Sequence, residues 1–116
     1  MSAADCLFCR IANGEIPSTI VYEDDQVMAF RDINPKAPTH VLIIPRKHIS
    51  TLNDLAAEDD GMVGELVRRA GAIAAELGHA EAGYRTVFNC NEMAGQTVFH
   101  IHLHLLAGRP LAWPPG

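Results

Sequence analysis

The run His100-Ile-His-Leu-His104 constrains the fold of this chain more than any other feature, because histidines alternate in it with apolar residues. In a β-strand, successive side chains point to opposite faces. One face of such a strand carries three imidazoles, and the other carries Ile101, Leu103 and Leu105, which can bury against a helix. Imidazole titrates near neutral pH, so it serves as nucleophile, acid, base or metal ligand. The run therefore predicts a sheet with one buried face and one chemically active face.

The remaining patterns predict a single domain of the α+β class. Apolar residues recur at helical spacing over 58–77, and β-branched or alternating segments lie on both sides of that helix. A short helix or turn, three strands, the main helix and two further strands permit a mostly antiparallel five-stranded sheet with helices on one face. The predicted segments are 6–14, 19–23, 26–31, 39–45, 58–77, 84–89 and 98–106, with a C-terminal tail over about 107–116. No repeat or linker divides the chain, so we expect one domain over 1–116.

Composition argues against several classes of partner. The formal net charge of −5 disfavours a nucleic-acid backbone or an anionic membrane, because both require a basic surface. The first residues lack the basic and apolar stretches of a secretory signal, and no apolar run approaches the ~20 residues of a membrane span. Cys6, Cys9 and Cys90 are too few for a disulfide scaffold. We therefore expect a cytoplasmic protein that binds neither nucleic acid nor membrane.

The segment that precedes the histidine run is suited to phosphate. Between 89 and 97 it combines a glycine, which permits close backbone approach, with amide and hydroxyl side chains that donate hydrogen bonds. Three imidazoles on one strand also suit a catalytic zinc ion, and a polar strand face without chemistry is a third interpretation. The loop favours the first interpretation, a histidine nucleophile beside bound phosphate oxygens.

Gly95–Leu106 resembles the signature of the histidine-triad (HIT) superfamily, His-φ-His-φ-His-φ-φ with φ apolar. Other blocks in the family's order extend the resemblance over nearly the whole chain, namely Ile16-Pro17, Tyr22–Asp25, Ala29–Ile33, Pro35–His40 and Lys47–Ile49. Gly108–Pro110 and the ending Trp113–Gly116 are similar to the Hint branch, the histidine triad nucleotide-binding proteins. The resemblance implies a homodimer that hydrolyses purine nucleoside 5′-phosphoramidates, such as AMP–amine conjugates.

The resemblance also implies a role for each site residue. His102 corresponds to the nucleophile that is transiently nucleotidylated, His104 to the histidine that stabilises phosphate charge and helps to protonate the leaving amine, and His40 to a histidine that orients the nucleophile through hydrogen bonds. The implied nucleotide-binding set is Asp32 for the ribose hydroxyls, Phe8, Phe30 and Ile33 for the purine, and Asn89, Gly95, Gln96 and Thr97 for phosphate. Phe30 and Ile33 also fit an ordinary core, and Asp32 also fits a backbone cap.

Cys6-Leu-Phe-Cys9 is ambiguous by itself, since such a pair is redox-active, metal-binding or incidental. Many microbial HIT proteins carry a structural zinc site with two cysteines and two histidines, and the matching histidines here are His48 and His100. The resemblance therefore implies structural zinc on Cys6, Cys9, His48 and His100, with His100 withdrawn from phosphate chemistry. We assign no role to Cys90.

Two other functions remain open at this stage. A dinucleoside polyphosphate hydrolase of the same superfamily shares the triad, and a nucleotide-binding regulator with residual hydrolysis uses the same residues. A transferase branch has His-Pro-His in the central motif, and Ile101 speaks against it. For the homodimer we expect contacts through the 58–77 helix and a sheet edge, with Trp113 reaching the partner's site.

Overall fold

A five-stranded antiparallel sheet organises the computed structural model, which describes residues 5–116. The strands are β1 (Ile20–Glu23), β2 (Val27–Arg31), β3 (Thr39–Pro45), β4 (Tyr84–Val87) and β5 (Leu103–Ala107), and the α-helices are α1 (Leu7–Ala12) and α2 (Asp60–Glu76). Single turns of 3-10 helix cover Leu52–Asp54, Ala57–Asp59 and Glu92–Ala94. The α+β prediction is confirmed. Residues 1–4, which the sequence assigns to the same domain, lie outside the described residues.

The strand order β1-β2-β3-β5-β4 puts the histidine strand beside the most buried strand. All residues of β3 are buried, as expected for an apolar, β-branched central strand. In the register between β3 and β5, His40 lies opposite Leu106 and Leu42 lies opposite His104. His40 and His104 are therefore diagonal neighbours on the same face of the sheet.

The two faces of the sheet have different partners. Leu66, Ala70, Ile73 and Ala74 of α2 are buried against one face, together with a set from the strands and the segment before β5: Val27, Ala29, Val41, Ile43, Ile101, Leu103 and Leu105. The predicted burial of Ile101, Leu103 and Leu105 against the helix is confirmed. Each such aliphatic side chain contributes roughly 1.5–3 kcal/mol when it leaves water. The other face packs on α1 and bears the histidines. The expectation of helices on one face is therefore wrong, because the apolar residues of α1 pack on the alternate side chains of β2 and β3.

The histidine strand starts later than the alternation predicts. β5 begins at Leu103 rather than at 98, so His100 and His102 lie in the irregular segment before it. The reason is local pairing, because the Ile101 amide donates to the Ile49 carbonyl and the His100 ring binds the Pro45 carbonyl, outside the sheet ladder. None of the helices within 5–116 is long and apolar enough to span a bilayer.

Candidate active site and metal centre

A main-chain carbonyl fixes the protonation pattern of His102. Its Nδ1 lies 2.8 Å from the His100 carbonyl oxygen. Because a carbonyl only accepts, Nδ1 carries the ring proton and Nε2 keeps a free lone pair. Burial lowers the pKa of His102, so the ring is neutral at pH 7. The edge-on Phe8 ring, with its centroid 5.0 Å from that of His102, supplies part of this burial. The geometry presents a neutral imidazole with one nucleophilic nitrogen.

The opposite tautomer is imposed on His104. The Lys36 amide donates to His40 Nδ1 at 3.0 Å, which leaves the ring proton of His40 on Nε2. That Nε2–H donates to His104 Nδ1 at 2.9 Å, so His104 carries its own proton on Nε2. Burial is the main cause that lowers the pKa of both rings, that of His104 to about 4. His40 is hydrogen-bonded to His104 and not to His102, because the Nδ1–H of His102 donates to the His100 carbonyl. The expected orientation of the nucleophile by His40 stays a prediction.

Asp32 both caps a turn and faces the histidine pair. One carboxylate oxygen accepts the Asn34 amide at 2.8 Å, and the other lies 3.5 Å from His40 Nε2. Asp32, His40 and His104 are close enough to one another to hold a metal ion. His40 has no lone pair for a metal, however, because its Nδ1 accepts from the Lys36 amide and its Nε2 carries the proton. The three groups form a hydrogen-bonding cluster.

A cavity of about 1110 Å³ opens over this cluster. It brings together six of the predicted site residues, Asp32, His40, Asn89, Gly95, Thr97 and His104. His102 is not among the residues that line the cavity and is buried, but its ring centroid lies 4.8 Å from that of His104. The phosphate-suited loop, the carboxylate and the histidines therefore share one site.

Gln96 differs from its expected role. Its buried amide donates to the Ser50 and Val98 carbonyls at 2.8 and 3.1 Å, and its carbonyl accepts the Asn91 amide at 2.8 Å. Its own backbone N–H donates to the Asn91 carbonyl. Both side-chain protons and the main-chain proton are used, so Gln96 has no donor left for phosphate. It instead fixes the shape of the loop that carries Asn89 and Thr97.

The expected apolar walls divide into buried and exposed residues. Phe8 and Phe30 are 5% and 3% exposed, pack edge to face at 5.4 Å, and belong to the core between α1 and the sheet. Ile33 is 90% exposed. The two phenylalanines therefore back the histidines in this state of the molecule, and Ile33 is the one of the three that presents a free apolar surface.

Several cavity residues were missed by sequence reasoning, namely Lys36, Arg85 and Met93. Arg85 lies two residues before Val87, which pairs with His104, and this alternation along β4 is a signal that could have found it. Trp113 is 81% exposed and lies on the cavity of its own chain, beside Arg85. The expected contact of Trp113 with a partner's site stays a prediction.

The four predicted metal ligands converge beside α1. His100 Nδ1 lies 3.3 Å from Cys6 Sγ and 3.5 Å from Cys9 Sγ, and His48 Nδ1 lies 3.4 Å from Cys9 Sγ. Ligand atoms at about 2.0–2.3 Å from a tetrahedral ion are about 3.6 Å apart, so these separations suit one. The Pro45 carbonyl accepts from His100 Nε2, which leaves Nδ1 as the ligand nitrogen.

The Cys9 thiol favours its protonated form in these buried surroundings. Burial, helped by the neighbouring Cys6, raises the pKa of Cys9 to about 11. A bound cation would favour the thiolate form that burial opposes. The donor set of two thiols and two imidazoles therefore fits a structural metal.

Known proteins are similar to this chain in sequence and in fold. The family model of the HIT domain matches residues 13–111. The chain is 53% identical over 109 residues to the purine nucleoside phosphoramidase of Escherichia coli K12, covering 94% of this chain and 92% of that protein. A HIT family hydrolase from Legionella pneumophila has a TM-score of 0.95 at 56% identity, covering 97% of this chain and 100% of that one. A histidine triad protein from Clostridium difficile has a TM-score of 0.92 at 47% identity, covering 97% of each chain.

Proposed function

The chain belongs to the HIT domain family, and on that premise we propose that it hydrolyses the P–N bond of purine nucleoside 5′-phosphoramidates. The products are a nucleoside monophosphate and an amine. Asp32 receives the ribose hydroxyls, Ile33 contributes an apolar surface for the purine, and Asn89, Gly95 and Thr97 contact the phosphate. One observation carries this proposal, namely that His102 and His104 are adjacent neutral imidazoles with complementary tautomers.

In the first step, His102 Nε2 attacks phosphorus and the P–N bond breaks. The bound phosphate is anionic, and this charge raises the pKa of His104, so that the ring takes a second proton, on Nδ1, in the complex. The Nε2–H of His40 then turns from His104 to Asp32, whose carboxylate lies 3.5 Å away. His104 then donates its Nε2 proton to the leaving nitrogen and returns to the neutral form. The His100 carbonyl stabilises the positive charge on the nucleotidylated ring through Nδ1–H. The amine departs and a covalent nucleotidyl-His102 remains.

In the second step, water attacks the same phosphorus. Neutral His104 accepts a proton from the water, a P–O bond forms, and the bond between His102 Nε2 and phosphorus breaks. When the nucleoside monophosphate is released, His102 is neutral, and His104 loses its second proton to solvent and accepts again from His40 Nε2. Both histidines therefore end each cycle as they began it.

Replacement of the nucleophile tests this function. We expect His102→Ala to reduce turnover of an adenosine 5′-phosphoramidate by at least ~10³-fold, while nucleotide binding stays measurable. His79→Ala is the matched control, because His79 is hydrogen-bonded to Thr39 and does not line the cavity over the histidines. Near-normal turnover in His102→Ala would contradict the mechanism. Diadenosine polyphosphate, assayed in parallel, tests the dinucleotide hydrolase, and tight binding without turnover of either compound would indicate a regulator.

We also propose that Cys6, Cys9, His48 and His100 hold a structural zinc ion. Two sulfur and two imidazole donors in tetrahedral arrangement are typical of zinc, and a site with four protein ligands keeps no position for a reacting water. When bound, the ion stiffens the fold and fixes the segment that carries His102. Free cysteines in such a site are consistent with a reducing cytoplasm, which is the location we propose.

A homodimer is the assembly that we propose. Part of the outward face of α2 is small and apolar, since Gly61 and Gly64 have open space around them and Val67 is 51% exposed. Arg68 and Glu76 are exposed on the same helix. β4 is an edge strand of the described sheet, and another copy can extend the sheet there. In such a dimer, the exposed Trp113 is available to the partner's site.

A further inference from the structure

The cavity over the histidines has two basic side chains on its rim that serve no ion pair. Lys36 and Arg85 both line it, whereas Asp32 is the one acidic side chain among its lining residues. Within residues 5–116, neither Lys36 nor Arg85 has an ion-pair partner. In a chain with a net charge of −5, unpaired positive charge at one cavity creates a local field that attracts anions.

Arg85 is held in position beside the cavity. One terminal nitrogen donates to the Ala112 carbonyl at 2.9 Å, and the guanidinium carbon lies 6.0 Å from the centre of the Trp113 ring. This is the one hydrogen bond of the guanidinium among the described residues, and none of its nitrogens is a buried atom without a partner. The remaining N–H groups therefore face accessible space. The tail fixes the group while leaving most of its donors free.

The register of the sheet gives the position of Arg85 relative to His102 and His104. Val87 pairs with His104, and Arg85 pairs with Leu106. Arg85 is thus one repeat, about 7 Å, beyond His104 in the direction away from His102. A nucleophile and a leaving group occupy opposite sides of phosphorus in an in-line displacement. In the proposed mechanism His104 protonates the leaving nitrogen, so a group beyond His104 would meet the rest of the leaving moiety.

We propose that Arg85 is a specificity-determining residue that selects phosphoramidates whose leaving amine carries a carboxylate. The planar guanidinium matches a carboxylate through paired N–H donors, and Lys36 adds a second positive charge at the same rim. This inference rests on the proposed phosphoramidate hydrolysis and concerns the leaving group only. Arg85 acts in binding and takes no part in proton transfer.

The test compares two substrates that differ in one group. Adenosine 5′-phosphoramidates of β-alanine and of β-alaninamide have the same nucleotide, the same scissile bond and leaving groups of nearly equal size. We expect Arg85→Gln to lower kcat/KM for the β-alanine compound by about 10–100-fold, the range for loss of a charge-assisted hydrogen bond, and for the amide by less than about 3-fold. Arg85→Lys keeps the charge and should retain part of the preference. The control is Arg31→Gln, at an exposed arginine that does not line the cavity.

The ratio of the two kcat/KM values makes the outcome decisive. Both substrates meet the same protein sample, so partial unfolding of a variant cancels in the ratio. An unchanged ratio in Arg85→Gln would overturn the proposal, because Arg85 would then act on the shared phosphate or on the tail. If the unsubstituted protein cleaves neither compound, the proposed hydrolysis itself fails, and this inference fails with it. Cleavage of both compounds with equal efficiency by the unsubstituted protein overturns the selection alone.

Discussion

His102 and His104 carry their protons on different ring nitrogens, and in both cases the arrangement originates in the main chain. The His100 carbonyl fixes one ring, and the Lys36 amide fixes the other through His40. Neutral histidine exchanges its proton between two nitrogens at little cost, so such contacts decide which nitrogen meets a ligand. The pair therefore has one free lone pair and one free N–H before any ligand arrives.

Because burial lowers the pKa of His104, we expect the free energy of unfolding to depend on pH. Its pKa is about 4 in the folded chain and about 6.5 when exposed, so between these values the unfolded chain binds a proton that the folded chain does not. The free energy of unfolding should therefore be fully retained above about pH 6.5 and fall as the pH decreases towards 4. Urea unfolding at about pH 7.5 and pH 5 should give a loss about 2 kcal/mol larger for the unsubstituted protein than for His104→Asn.

The difference between the two proteins isolates the histidine cluster. Titrating groups remote from His104 are present in both proteins, so their contributions cancel, whereas His40 and His102 contact His104 and are measured together with it. Equal losses in the two proteins would mean that His104 is not kept neutral by burial.

At the level of elements, the spacing of apolar residues predicted the buried faces of the strands and of the main helix. It failed where hydrogen bonds to other segments replace the pairing between strands. β3 and α2 follow directly from apolar spacing, as does burial of Ile101. The late start of β5 could not be predicted, because it depends on contacts with Ile49 and Pro45, about 50 residues earlier. Gln96 was misjudged for a similar reason. An amide suits phosphate and loop carbonyls equally well, and only the folded loop shows which partners it has.

Helix α2 carries the prediction for the dimer. Val67→Glu puts a charge on its small, apolar outward face, where a second copy would have to bury it without a partner. We expect sedimentation equilibrium to show a shift from dimer to monomer, with affinity lowered at least ~100-fold. Ile20→Glu is the matched control, since Ile20 is 46% exposed on β1, the edge strand opposite β4. A dimer that persists in Val67→Glu would remove α2 from the interface.

At the scale of the whole molecule, the cluster proposed to hold zinc brings together segments that are remote in sequence. Cys6 and Cys9 flank the start of α1, His48 follows β3, and His100 precedes β5. A cross-link between such segments closes long loops and reduces the entropy of the unfolded chain. The sequence pointed to this centre through the cysteine spacing and the family resemblance, while the exact donor atoms required the fold.

Loss of one thiol tests the centre. We expect Cys9→Ser to lower the zinc content from about one ion per chain to well below that and to reduce the free energy of unfolding by about 2–5 kcal/mol, as for other long-range cross-links. Elemental analysis and urea unfolding measure the two effects. Cys90→Ser, which removes a half-buried thiol outside the cluster, should change neither. The assignment would be contradicted if the unsubstituted protein, carefully purified without a chelator, contained no zinc.

His100 takes part in both centres with different atoms. Its Nδ1 faces the two cysteines, and its carbonyl oxygen accepts a hydrogen bond from the Nδ1–H of His102. Any displacement of this one residue changes ligation and the direction of the nucleophile together. A substitution at position 100 therefore has to preserve two things, namely the nitrogen that faces the cysteines and the position of the carbonyl that orients His102. A variant of this scaffold without the metal would need a new way to hold that carbonyl before it could keep its chemistry.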